Sequence, residues 1–215
     1  MNKETLKRII ADFHLADLPS VFDRKLQLPL NVEKVITLSG IRRSGKTSLL
    51  FITMQRLMRI GIKKQCILYL NFEDDRMFPV RLSEMDLILH AYHELYPENI
   101  NETKYLFFDE IHQVNQWEKY IRRIYDTENV RIYLTGSSSR MVSREISSAL
   151  RGRGIHYEVF PLGFTEFLNF RQIEINRFST QTEALVQNAL QDYLLWGGFP
   201  EVAKIKDFQL RQKIL

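Results

Sequence analysis

Short, largely apolar runs recur along the chain at Lys34–Ser39, Cys66–Phe72, Lys104–Glu110, Val130–Thr135 and Ile155–Phe160. Runs of this length, rich in β-branched and aromatic residues, read as strands, and the most continuous of them as strands buried on both faces. The spacing between them is helical. Leu6, Ile9, Ile10 and Phe13 predict a helix over 3–16, and the pattern after Lys46 predicts one that ends at Ile60-Gly61, where glycine can take the left-handed stop. Met85, Ile88, Leu89, Tyr92 and Leu95 predict a third, opened by Ser83 with Asp86 three residues on, and Trp117, Tyr120, Ile121 and Ile124 a fourth. Met141, Val142, Ile146, Ala149 and Leu150 predict another before the last strand. The stretch Leu18 to Pro29 reads as a connecting strand or loop. Strands alternating with helices predict an α/β fold with a parallel sheet of about five strands.

After residue 162 the strand signal stops. Phe164, Phe167, Leu168 and Phe170 predict a short amphipathic helix, Ala184–Trp196 a longer one, and 207–215 a last one. We therefore expect a core over 1–162 and a small helical lobe over 163–215. The aromatic stripe of the lobe reads as core packing in preference to a base-stacking platform. Gly197-Gly198 reads as a helix stop, with a hinge as the alternative.

Composition narrows the class. In 215 residues, 45% hydrophobic and 12% aromatic, there is enough apolar surface for one full core and an appendage, and disorder is excluded. No apolar run approaches the ~20 residues of a membrane span, and the first residues lack the apolar core of a signal peptide, so a cytoplasmic protein is expected. The single Cys66 sits in an apolar run and fits a small buried side chain in a reducing compartment. A net charge of +4 permits contact with polyanions without arguing for it.

The chemistry begins where the first strand meets the second helix. Gly40-Ile41-Arg42-Arg43-Ser44-Gly45-Lys46-Thr47 has the spacing G-x-x-x-x-G-K-T in strand–loop–helix context. In such a loop the two glycines let consecutive N–H groups turn toward phosphate oxygens, and the helix N-terminus adds its partial positive charge. Gly40, Arg42, Arg43, Ser44, Gly45, Lys46, Thr47 and Ser48 are thus candidate nucleotide-binding residues, with Lys46 on the β- and γ-phosphates and Thr47 a ligand of Mg²⁺.

Strand three closes on Asp109-Glu110. A carboxylate at the C-terminal edge of a buried parallel strand lies where ligands of such sheets bind, so Asp109 is a candidate Mg²⁺ ligand. Alternation along the strand would turn Glu110 the other way, toward an attacking water as general base. The alternative is an acidic helix start. Strand four runs into Gly136-Ser137-Ser138-Ser139, where Ser137 is a candidate γ-phosphate sensor or else a helix cap. Arg153, in Leu150-Arg151-Gly152-Arg153-Gly154, could bring a guanidinium to a phosphate of the same or a neighbouring subunit, or be a solvated loop charge.

Taken together, Gly-Ile-Arg-Arg-Ser-Gly-Lys-Thr, Phe-Phe-Asp-Glu-Ile-His, Leu-Thr-Gly-Ser-Ser-Ser, Leu-Arg-Gly-Arg and Trp-Gly-Gly-Phe-Pro-Glu resemble the prokaryotic AAA-type P-loop ATPases, over about residues 20–205. The resemblance implies an AAA-like (ASCE-type) sheet in the order 5-1-4-3-2, ATP at 40–47 with Mg²⁺, a helical lid-like lobe, and a phosphate-facing role for Arg153. In longer relatives a further C-terminal domain follows. Three functions remain open at this point: ATP hydrolysis that moves a lobe or partner, in a possible homo-oligomer; a small-molecule kinase; or a nucleotide-dependent DNA- or protein-binding switch. The last would use Arg56, Arg59, Lys63, Lys64, Lys119, Arg122 and Arg123 as a basic face. A guanine preference is not expected, because the chain has no Asn-Lys-x-Asp.

Overall fold

A computed structural model describes residues 2–77, 79–136, 150–175 and 180–214. Its centre is a five-stranded, wholly parallel sheet of β1 (Val35–Ser39), β2 (Ile67–Asn71), β3 (Lys104–Asp109), β4 (Val130–Thr135) and β5 (Gly154–Glu158). The order is β2-β3-β4-β1-β5, the order that the resemblance implies. Placing β4 between β1 and β3 brings the ends of β1, β3 and β4 together, at the switch point where such sheets bind ligands.

Alternation sorts the strand side chains into two cores. Leu68, Leu70, Leu106, Phe108, Ile132 and Leu134 face α1 (Lys3–Leu15), α3 (Asp86–Leu95) and α4 (Trp117–Thr127). Ile67, Tyr105, Phe107, Tyr133, Ile36 and Leu38 face α2 (Lys46–Arg59). One helix does not cover that second face. The irregular stretch between α1 and β1 finishes the job, with Leu18, Val21, Leu26, Leu28 and Leu30 packed beside α2. Side chains of the body hold three of its carbonyls. Gln55 donates to the Pro19 carbonyl (2.9 Å), Arg56 to Leu28 (2.8 Å) and the Tyr133 hydroxyl to Pro29 (2.8 Å).

Some predicted boundaries move. Ser83 does not cap α3; a 3₁₀ turn at Leu82–Glu84 precedes it, in which the Glu84 carboxylate accepts from the Arg81 N–H (3.0 Å). β5 ends at Glu158, short of the predicted Phe160, with the Val159 N–H making the last ladder bond to the Ser39 carbonyl (2.7 Å). The predicted helix from Met141 lies outside the described residues.

Beyond Leu162 come α5 (Phe164–Phe170), α6 (Thr180–Trp196), α7 (Pro200–Ala203) and α8 (Phe208–Ile214). They enclose a separate small core of Leu162, Phe167, Leu168, Ala189 and Ala203. Gly197, at φ 72°, ends α6 as expected. Gly198 does more than the sequence suggests. Its carbonyl accepts from the Leu162 N–H (2.7 Å), and a Cβ at Gly198 would lie 2.0 Å from the Leu162 carbonyl oxygen. Two backbones meet there with no room for a side chain, and the Tyr193 hydroxyl donates to the same carbonyl (3.0 Å). This contact ties the end of α6 to Leu162 within the lobe. Gly198→Ala should therefore destabilise the protein by about 1–3 kcal/mol through overpacking. Chemical denaturation would measure it, with the earliest loss of amide protection expected in α6 and α7.

Candidate functional site

The phosphate loop fills the gap between β1 and α2. Gly40 has a steric reason to be glycine, since a Cβ there would stand 2.3 Å from the Val159 carbonyl oxygen. Gly45 caps α2 in the left-handed region (φ 97°) with no side-chain cap on the helix, and the first turn carries no acid. The N–H groups of that turn are thus left for an anion. Lys46 is buried and folds back over the loop, donating to the carbonyls of Gly40 (3.0 Å) and Ile41 (3.2 Å). Ser44 Oγ is buried in the loop without a hydrogen-bond partner.

Asp109 lies behind the loop at the end of β3, with 1% of its surface exposed. Its Oδ2 accepts from the Thr47 hydroxyl (2.8 Å) and the Tyr69 hydroxyl (3.1 Å), and its Oδ1 from the Thr135 hydroxyl. Among the described residues no Lys or Arg forms an ion pair with it. A buried carboxylate held only by hydroxyls, beside a threonine hydroxyl at a phosphate loop, is a hard-oxygen donor set that fits Mg²⁺. Thr135, which sequence reasoning passed over for Ser137, also accepts from the Glu110 N–H (2.9 Å). The signal was there: a threonine ending a buried strand beside the phosphate loop. Ser137 itself lies outside the described residues.

Glu110 is placed otherwise than strand alternation predicted. It has left the strand and sits at φ 54°, capping a 3₁₀ turn at Ile111–Gln113. That uncommon backbone, fixed by the Thr135 bond, carries the carboxylate to the cleft that also holds Lys46, Thr47 and Glu73. Half-burial pushes its pKa above the ordinary glutamate range; Lys46 works against the shift, and Asp109 adds to it. His112 Nδ1 lies 3.1 Å from Oε2.

The cleft measures about 690 Å³ and runs from the phosphate loop to the lobe. Its lining is partly polar, with Arg42, Arg43, Lys46, Thr47, Ser48 and Glu110, and partly apolar, with Val21, Phe22, Leu162, Phe170, Pro200 and Ile205. Arg43, at φ 65°, reaches from the loop to Glu201 of α7 (3.3 Å) and to the Ile214 carbonyl of α8.

The matches with known proteins agree with this geometry. A family profile described as an AAA domain matches residues 32–168. The chain belongs to the AAA domain family. It is accordingly a nucleotide-binding domain of the ATPase type. An uncharacterised protein of Methanocaldococcus jannaschii is 36% identical over 208 residues, 96% of this chain and 45% of that one. An uncharacterised protein of Haemophilus influenzae is 32% identical over 83% of this chain and 42% of its own. The chain thus spans less than half the length of these relatives. PCH-2 of C. elegans resembles it with a TM-score of 0.45 at 20% identity, over 83% of this chain and 57% of that one, too loosely to speak of activity or partners.

The basic face expected from the sequence does not form in this AAA domain, and of the two alternatives for Arg153 the same-subunit one is not met. The basic residues do not form one face, because α2 and α4 pack on opposite sides of the sheet. Several are also engaged: Arg56 with Leu28, Lys64 with the His14 (3.2 Å) and Ala16 carbonyls, Arg123 with Asp86. Arg153 does not reach its own phosphate loop. It precedes β5, whose first residue pairs with Val35 and whose last pairs with Ser39, so a strand length of ~13 Å lies between. Its guanidinium instead grips Asp126 through two bonds of 2.9 and 3.0 Å. Among the described residues no helix is long and apolar enough to cross a membrane.

Thr135→Val keeps the shape of the strand end but leaves Asp109 Oδ1 and the Glu110 N–H without this partner. Loss of about 1–3 kcal/mol of stability is expected, with a larger change at Glu110 than elsewhere. Urea titration together with amide exchange at residues 109–113 would show both.

Proposed function

We propose that this domain binds ATP with Mg²⁺ and hydrolyses it, and that the cycle moves the helical lobe or a partner bound to it. The observation that carries the reading is the Asp109 carboxylate joined to Thr47 at the phosphate loop, with Glu110 in the same cleft. Lys46 and the N–H groups of the loop and first turn of α2 receive the phosphates. Thr47 and Asp109 would hold Mg²⁺, which neutralises charge on the phosphate oxygens when bound. The apolar part of the lining, which includes Val21, Phe22 and Ile205, takes the base.

Glu110 is the general base in this reading. A carboxylate whose pKa is raised by burial accepts a proton more readily than an ordinary one, provided it is ionised. The sign follows: activity rests on the deprotonated form, so it is present above the raised pKa and lost as pH falls through it. The acid limb should therefore lie above the ~4.3 of a free glutamate.

Two substitutions separate binding from chemistry. Lys46→Ala should abolish ATP binding in calorimetry while the circular dichroism of the fold stays the same. Glu110→Gln should bind ATP as the wild type does yet hydrolyse it at least ~100-fold more slowly, since the amide cannot take the proton. It should also lose the acid limb. Wild-type turnover by Glu110→Gln would assign the base elsewhere.

Arg153 enters through oligomerisation. Its place at the far edge of the sheet suits a guanidinium that serves the nucleotide of an adjoining copy, released from Asp126 on assembly. ATPase activity per subunit should then rise with protein concentration, and Arg153→Ala should abolish that rise with ATP binding unchanged. An arginine supplied in trans is worth ~10³-fold or more. Specific activity that is flat over a hundredfold dilution, and unaffected by the substitution, would leave Arg153 an ordinary partner of Asp126.

A further inference from the structure

Arg24 belongs to no motif, yet it is 92% removed from solvent at the wall of the cleft. Its guanidinium serves three elements at once. Nη1 donates to the Ser44 carbonyl of the phosphate loop (3.1 Å), Nη2 to the Phe160 carbonyl past the end of β5 (2.9 Å), and Nε to Glu166 Oε1 on α5 (3.0 Å). Each contact falls on a different moving part of the proposed cycle.

The bond to Ser44 has a geometric consequence. In a trans peptide the C=O and the next N–H point in opposite directions. Holding the Ser44 carbonyl outward against Arg24 turns the Gly45 N–H inward, to the side on which a phosphate is received. Gly45 alone cannot keep that orientation, because glycine is the residue with the most backbone freedom. Nη1 lies 3.0 Å from where a Gly45 Cβ would stand, so the guanidinium is laid flat against the back of the loop.

Glu166 fixes the guanidinium from the lobe. Its Oε1 accepts from Arg24 Nε and from the Lys25 N–H (2.8 Å), and its Oε2 from the Gly163 N–H (3.0 Å). Three donors on two oxygens require the carboxylate, since an amide would set its NH₂ against one of them. Movement of α5 therefore pulls on Arg24, and Arg24 on the Ser44–Gly45 peptide.

We propose that Arg24 is a positioning residue that couples the helical lobe to the phosphate loop, so that nucleotide in the loop orders the lobe and displacement of the lobe weakens nucleotide binding. Thermodynamic linkage makes the two effects equal in size. The inference rests on the nucleotide reading of the cleft. Its test is whether the lobe's response depends on Arg24 and Glu166, which that reading alone does not demand.

The experiment uses ADP with Mg²⁺ as probe, calorimetry for affinity and hydrogen exchange for the response. In the wild type, ADP should slow exchange both at 40–48 and at 163–170. Arg24→Gln should bind ADP about ten- to a hundredfold more weakly, as expected for a charged hydrogen bond lost from the loop. Saturated with ADP, it should still protect 40–48 while 163–170 no longer responds. Arg24→Lys should behave alike, since one ammonium cannot meet three separated acceptors in a plane. Glu166→Gln should bind ADP within a few-fold of the wild type but lose the lobe response. If Arg24→Gln does not fold, its partner on the lobe decides, and Glu166→Gln with an intact lobe response overturns the coupling. The coupling is also overturned if Arg24→Gln binds ADP within threefold of the wild type and the lobe still responds. A wild type that binds no ADP overturns the nucleotide reading itself.

Discussion

The Asp109 carboxylate is the constraint around which the centre of the domain is arranged. Burying an ionised group is costly unless it is hydrogen-bonded, and this one is satisfied by hydroxyls from three other elements: Thr47 of α2, Tyr69 of β2 and Thr135 of β4. Meeting that demand fixes the strand ends and the helix N-terminus relative to one another. The phosphate loop hangs between β1 and that helix, and the Glu110 backbone is turned out by the same Thr135. A carboxylate with donors but no cation partner among the described residues is also a carboxylate suited to a metal, so what organises the fold is what equips the site.

A second set of contacts joins this centre to the lobe, and all of them touch the cleft or its rim. Arg43 reaches Glu201 and Arg24 reaches Glu166. The lobe has its own small core, so it can hold its shape while shifting against the sheet. Polar contacts at such a joint can break and reform more easily than a shared apolar core. That division of labour suits a domain in which a nucleotide cycle is to be read out as movement.

Much of this was legible in the residues. The five strands and the helices of the core follow from run length and periodicity, and the sheet order follows from the resemblance. Lys46, Thr47 and Asp109 were legible because their spacing and strand ends constrain the chemistry directly. Glu110 lines the cleft by another route than the one expected: its direction is set by a left-handed backbone that alternation does not foresee. The supposed basic face failed because counting charges along helices says nothing about which side of a sheet each helix takes.

Periodicity and local spacing by themselves determined the elements, the phosphate loop and the acid pair, since these depend on residues close together in the chain. Only the tertiary structure decided that Thr135 and Tyr69 share Asp109, that Arg153 stands a strand length from its own phosphate loop, and that Arg24 meets Ser44, Phe160 and Glu166. Those partners lie 20 to 142 positions apart in the sequence. No local propensity encodes such a meeting; it exists only once the crossovers have brought the strand ends to one edge and the linker has been packed across the face beside α2.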